Sequence, residues 1–268
     1  MSYNTPSLPP FPEERRPRVI SEPRPSARRT SRPRPASTPT RFSRRYDIEW
    51  FENGDILHET RTALALPAFE QAFGAFAHGI LIQTAEGPVA IEDLLPGTWI
   101  ETADGQLSQL LWKGSITLVP GAPSSGDEPD KLYRVMPDAF GLGRPNQDQT
   151  FGPHARRINR DPKIRASLGT ETALVPLSAV SDGMSVIEVT PVAPTRVYHL
   201  ACASHETILA AGLEVETYHP GPEAPISLPE EMMRQFLTFF PHIRDFRDFG
   251  RLAMPRVGAE EFASVTAG

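Results

Sequence analysis

The chain has 268 residues, room for one sizeable domain with appendages, and its net charge of −6 hides a division: residues 1–45 hold 11 Arg, no Lys and 3 Glu. They carry +8, so the remainder carries −14. One cysteine, Cys202, excludes an intramolecular disulfide framework, no apolar run follows a basic start as in a signal peptide, and the most apolar stretch, 63–83, is broken by Pro67, Glu70, Gln71 and His78, which excludes a membrane span.

These exclusions lead to the expectation of a soluble, cytoplasmic protein, with a non-classical exit route left open. Ten of the 29 prolines fall in residues 1–45. A segment so rich in Arg and Pro has little to bury and is expected to be a disordered tail, polyproline-like around Arg32-Pro33-Arg34-Pro35. It reads either as a tether to nucleic acid, anionic lipid or an acidic partner, or as a solubilising leader. No aromatic residues alternate with the arginines to stack on bases, which favours the leader.

Residues 46–74 form a lead-in. Tyr46 to Phe51 alternates as a strand and stops at Asn53-Gly54, and Pro67 to Phe76 is expected to be a short helix with Phe69, Phe73 and Phe76 on one face. Short extended pieces follow: Ile80 to Ile82, ended by Glu86-Gly87-Pro88; Val89 to Ile91; Trp99 to Thr102, after Pro96-Gly97. Asp104-Gly105 fits a two-residue hairpin, and Leu110 to Trp112 and Ile116 to Val119 flank Gly114. Residues 120–129 read as a surface loop. Leu132 to Met136 returns to strand, Ala139 to Pro145 turns, and Arg156 to Ser167 reads as basic and irregular. Leu174 to Leu177 and Ser185 to Val189 are expected to pair as a hairpin around Asp182-Gly183, before final strands at Arg196 to Ala201 and Glu206 to Ala210. Strands this short, with turns this frequent, indicate a compact all-β, mostly antiparallel domain. Pro229, with Glu230 and Glu231 behind it, opens a helix. Its expected buried stripe is Met232, Met233, Phe236, Leu237 and Phe240, and residues 250–268 are expected to fray.

The order of residues goes beyond generic β. Gly79-x-Leu81-Ile82-x-Thr84-x-x-Gly87, Ile91-Glu92-x-Leu94-x-x-Gly97, Thr102-x-Asp104-Gly105 and Trp112-x-Gly114 follow one another. Downstream come Tyr198-His199-Leu200 and His205-x-x-Ile208-Leu209-Ala210-x-Gly212-Leu213-x-x-Glu216-Thr217-Tyr218. The series resembles a Hint domain, the fold of inteins and Hedgehog autoprocessing domains, and within it a bacterial group. The resemblance implies a Hint-like domain over 75–220, a twisted β fold that places Ala75 beside the strands of 205–218. Residues 221–268 would then be a C-terminal helix and frayed tail.

The resemblance also implies chemistry. A Hint domain rearranges its own backbone: a Cys or Ser attacks the preceding carbonyl, and a His protonates the departing nitrogen. The group's nucleophile, four residues before the motif Gly79, falls on Ala75. Its Asp-Leu-x-Val-Ser-Pro-x-His-Arg block resembles Asp148 to Arg156, with Ser at Gly152 and the catalytic His at Ala155. His154 is one residue early, which on a strand would turn it to the opposite face. Neither Ala75 nor Ala155 can do the family's chemistry, so no catalytic residue is expected.

Cys202 lies in an apolar run where a buried, inert thiol is expected. The histidines at 58, 78, 154, 199, 205, 219 and 242 show no metal-ligand spacing, and neither a metal nor a cofactor is expected. The leading reading is a Hint-fold protein without self-cleavage, acting as a binding or structural module. The alternatives are self-cleavage near Gly74-Ala75 through Ser108 or Cys202, and a tail that tethers an inert domain to nucleic acid or membrane.

Overall fold

The computed structural model describes residues 1, 42–122, 130–222, 224 and 228–267. Most of the Arg/Pro-rich tail, with its expected disorder and partners, and most of the expected loop at 120–129 lie outside the described residues. Strands β1 (Ser43–Glu52) and β2 (Asp55–Leu64) form a hairpin closed by Asn53 and Gly54, both at positive φ, as a two-residue turn requires. Residues 43–45, assigned to the tail by their arginines, are the first rungs of this hairpin. The reason is local pairing: Arg44 is held by Glu70 at 2.7 Å and by Asp130 at 3.3 Å.

Helix α1 (Pro67–Glu70) is a single turn, shorter than the phenylalanine spacing predicts. Phe69 and Phe73 keep to one core cluster, but Phe76 belongs to β3 (Phe76–Ala77) and packs in the other. Then come β4 (Leu81–Thr84), β5 (Gly87–Ala90), β6 (Trp99–Glu101) and β7 (Leu107–Leu118). The β6–β7 turn is longer than two residues: the Thr102 N–H donates to the Gln106 carbonyl at 2.9 Å, and the three residues between them turn with Gly105 at φ 79. β7 runs unbroken through Gly114. A Cβ there would lie 2.2 Å from the Trp112 ring and 2.6 Å from Phe73, so glycine lets the indole fold across the strand.

The second half holds β8 (Leu132–Val135), β9 (Gln149–Phe151), β10 (Arg156–Asn159), α2 (Pro162–Leu168), β11 (Ala173–Pro176), β12 (Val186–Val189), β13 (Thr195–Cys202), β14 (Thr207–Ala210) and β15 (Leu213–Glu216). The stretch from Arg156 is therefore ordered. Asp161 caps α2 through the Lys163 N–H, and Gly169 closes it at φ 70. β11 and β12 do not pair with each other as expected: β11 joins β10, β12 joins β8, and a 3₁₀ turn (Leu177–Val180) separates them. The named strand pairings are all antiparallel. The fold is the mostly antiparallel β class that the turns indicate.

Two cores result. The first gathers Ala75, Phe76, Ile82, Phe151, Tyr198 and Leu200. The second is aromatic and draws on both ends of the fold: Tyr46, Phe69, Phe73 and Trp112 meet Phe239 and Phe240. The latter follow α3 (Glu230–Leu237), where the helical stripe misses Phe239 altogether. Tyr46–Phe239 and Trp112–Phe240 ring centroids are 4.7 and 4.6 Å apart, within the favourable range. Residues 250–267, expected to fray, are instead docked. Leu174 exchanges backbone bonds with Pro255 and Val257, and α4 (Ala259–Ala267) packs Phe262 near Ile164 and Val175.

Candidate functional site

The Gly74–Ala75 peptide is held like a rung of sheet. Ala75 is fully buried; its N–H donates to the Tyr198 carbonyl and its own carbonyl accepts from Gly152, each at 2.8 Å. The Gly74 carbonyl accepts from the His154 N–H, also at 2.8 Å. The turn after β9 thus brings Gly152, His154 and Ala155 onto the two residues that the sequence singles out. The direct strand neighbour is β13 rather than the 205–218 strands, which join it from elsewhere: the Tyr218 N–H donates to Leu200 O at 2.6 Å.

Few chemical groups face that peptide. Ala75 offers a methyl. Gly152 has room for nothing more, since a Cβ there would sit 2.3 Å from the Gly74 oxygen and 2.7 Å from its carbonyl carbon. His154 stands in a turn, not on a strand, so the alternation that would send it to the opposite face does not apply. Its ring lies where a Cβ on Gly74 would come within 3.0 Å. Burial, then the charges of Arg156 and Arg44, hold its pKa down to about 4, so it is neutral at pH 7. Ala155 is buried, with its carbonyl taken by the Leu177 N–H at 3.0 Å. A neutral imidazole beside an amide could pass a proton, but the attacking heteroatom has no counterpart at Ala75.

Cys202 and Ser108 sit together, away from this peptide. Burial pushes the Cys202 thiol up to about 12, against a smaller opposing hydrogen bond with Ser108, so the thiolate is negligible at neutral pH.

A buried polar cluster, of which the downstream motif contains His205 and Glu216 but not Arg256, ties the last strands to the segment around 253–256. Burial alone would raise the Glu216 pKa, but a hydrogen bond with His205 and the charges of Arg256 and Arg156 hold it at about 2. The distances are 3.0 Å to His205, 2.6 Å to Arg256 and 3.6 Å to Arg156. His205 Nδ1 accepts the Ala253 N–H at 2.8 Å, which leaves Nε2 as the protonated nitrogen that donates to Glu216. Each member has a partner within the fold, and the cluster is a clasp. Among the described residues, no group of three or more His, Cys, Asp or Glu is arranged to hold a metal ion, and no helix is long and apolar enough to cross a membrane.

A family model described as "Hint domain" matches residues 74–222, more than half of the chain. The chain belongs to the Hint domain family. Among solved structures it is similar to a bacterial intein-like domain from Clostridium thermocellum, determined in solution, at 14% identity and a TM-score of 0.38 over 55% of this chain and 99% of that one. Curated proteins give no match. The Hint match opens on Gly74, the residue whose carbonyl His154 holds, and closes just past His219. β1, β2, α1 and the strap of residues 228–267 fall outside it, although they supply much of the aromatic core.

Proposed function

We propose that this Hint domain does not cleave or rearrange its own backbone at Gly74–Ala75, and that it serves as a binding or structural module. The observation that carries this reading is the buried methyl of Ala75 where the family's nucleophile would stand, in a segment whose Gly74 carbonyl, Ala75 N–H and Ala75 carbonyl are already paired with His154, Tyr198 and Gly152. Acyl transfer needs a heteroatom within about 3–3.5 Å of the carbonyl carbon. The substitutes are too far away. Cys202 is four residues along β13 from Tyr198, roughly 13 Å at strand rise. Ser108 is seven residues along β7 from Ser115, the partner of Tyr198, or roughly 23 Å. General acid catalysis contributes about 10²–10⁴-fold, and a lone histidine without a nucleophile leaves the bond near background stability.

Intact-mass measurement tests this directly. The purified chain, incubated with and without dithiothreitol, should keep its full mass near 29.6 kDa. A protease-independent fragment beginning at Ala75, or a thiol-induced cleavage at any one defined bond, would overturn the proposal.

A further inference from the structure

We infer that the cleft between β4 and the segment leading into β9 is a binding site for a short, uncharged stretch of extended peptide. Its volume is about 350 Å³, at the small end of ligand pockets. Leu81 and Leu209, both half-buried, form an apolar floor, and Gln83, Asn146, Gln147 and Gln149 present four carboxamides to it. Gln149 is the decisive residue. It is only 6% exposed, yet among the described residues its carboxamide has no hydrogen-bond partner and is not sealed from solvent. The large majority of buried side-chain polar groups in folded proteins are paired with protein or water, so a carboxamide held inward, without a protein partner and open to a cleft, is placed for an incoming one. Gln83, Asn146 and Gln147 likewise have no side-chain partner among the described residues.

The lining decides the ligand class. It holds no Lys, Arg or His and includes the carboxylate of Glu101, which disfavours phosphates and carboxylates. One carboxylate is too few for a calcium-type site. A carboxamide carries the same paired donor and acceptor as a peptide group, so a set of them can satisfy the N–H and C=O groups of an extended main chain. The two leucines then receive one apolar side chain. No aromatic ring lines the cleft to stack against the apolar face of a sugar.

β9 carries Gln149 three residues before Gly152, which leans on the Gly74–Ala75 peptide. This assignment gives the binding-module reading a location and a ligand class, and rests on it. The two fail separately: a chain that cleaves itself contradicts the silent domain, whereas an intact chain without this site contradicts the cleft.

The test is to pan a phage-displayed random heptapeptide library on the full chain and to measure selected peptides, N-acetylated and C-amidated, by fluorescence polarisation. Gln149→Leu should weaken binding at least tenfold, and the exposed Asn146→Ala severalfold, both at unchanged melting temperature. If Gln149→Leu lowers the melting temperature, the surface variant alone decides. A library without binders, or binders indifferent to both substitutions, overturns the inference. A glycan array giving the only signal sensitive to these substitutions overturns the peptide class.

Discussion

At the scale of single residues, the Gly74–Ala75 peptide is shielded by the lack of a side chain at position 152. The φ of Gly152 is not positive, so the need for glycine there is steric: an added Cβ would press 2.3 Å from a backbone oxygen that cannot swing away. Gly152→Ala should therefore destabilise the fold by about 1–3 kcal/mol, the usual range for overpacking. Gly258→Ala, where nothing lies within 4 Å, should leave it unchanged. Urea unfolding of the two variants checks the pair, and equal midpoints would contradict the packing described for Gly74. A Ser at 152 would meet the same obstacle.

His199, also a single residue, governs acid stability. Burial holds its pKa down to about 3, the lowest among the displaced histidines, against an ordinary value near 6.5. The folded state therefore keeps it neutral while the unfolded chain takes up a proton. Its contribution is complete above pH 6.5 and is lost as pH falls from 6.5 toward 3. At about 1.36 kcal/mol per pH unit, His199 alone should cost about 2 kcal/mol between pH 6.5 and 5. His154, His219 and His242, each held down to about 4 chiefly by burial, add in the same direction. Glu216, held at about 2, adds a second window between its ordinary value of 4.5 and pH 2. Denaturant midpoints from pH 7.5 to 5 should fall steadily, and a flat profile would contradict the neutral, buried state of these imidazoles.

At the scale of elements, the strap of residues 228–267 fastens the aromatic core. The Phe239 carbonyl accepts the Trp112 indole N–H at 2.7 Å, and its ring lies 5.4 Å from Phe73. Phe239→Ala should cost about 3–5 kcal/mol, the range for deleting a buried aromatic. A loss below 1 kcal/mol in guanidinium unfolding would mean the strap is loosely held.

Turn chemistry made many elements legible, because Asn53-Gly54 and Pro96-Gly97 act through local dihedral preferences. β2 was not legible: six of its first seven residues are exposed, so no alternation marks it. The helix expected over Pro67 to Phe76 is cut short because its three phenylalanines, at spacings of four and three, serve two cores, with Gly74 between Phe73 and Phe76. The Hint family could be read from motifs that lie in short consecutive runs. The cleft around Gln149 could not, since Gln83 and the two leucines lie far along the chain from Asn146, Gln147 and Gln149 and meet them only when the sheet assembles.

At the scale of the whole molecule, the family block and the folding unit are different objects. Residues 74–222 match the Hint model, yet Trp112, Ile116, Val197, Ala201 and Tyr218 from that block are covered by residues before and after it. β1 supplies Tyr46 and Ile48, pairing with β7 from Asp47↔Ser115 to Trp50↔Trp112, and the strap supplies four phenylalanines, Phe236, Phe239, Phe240 and Phe249. Burial of each such ring is worth about 1.5–3 kcal/mol, against a net stability of about 5–15 kcal/mol for a typical domain. The isolated 74–222 fragment therefore falls short of a stable fold, while residues 42–268 retain one. The expected outcome is a cooperative melt and near-ultraviolet tryptophan dichroism for 42–268, and neither for 74–222, which should instead bind a hydrophobic dye. A 74–222 fragment that melts cooperatively within a few degrees of the longer chain would show that the flanks decorate the Hint domain and do not complete it.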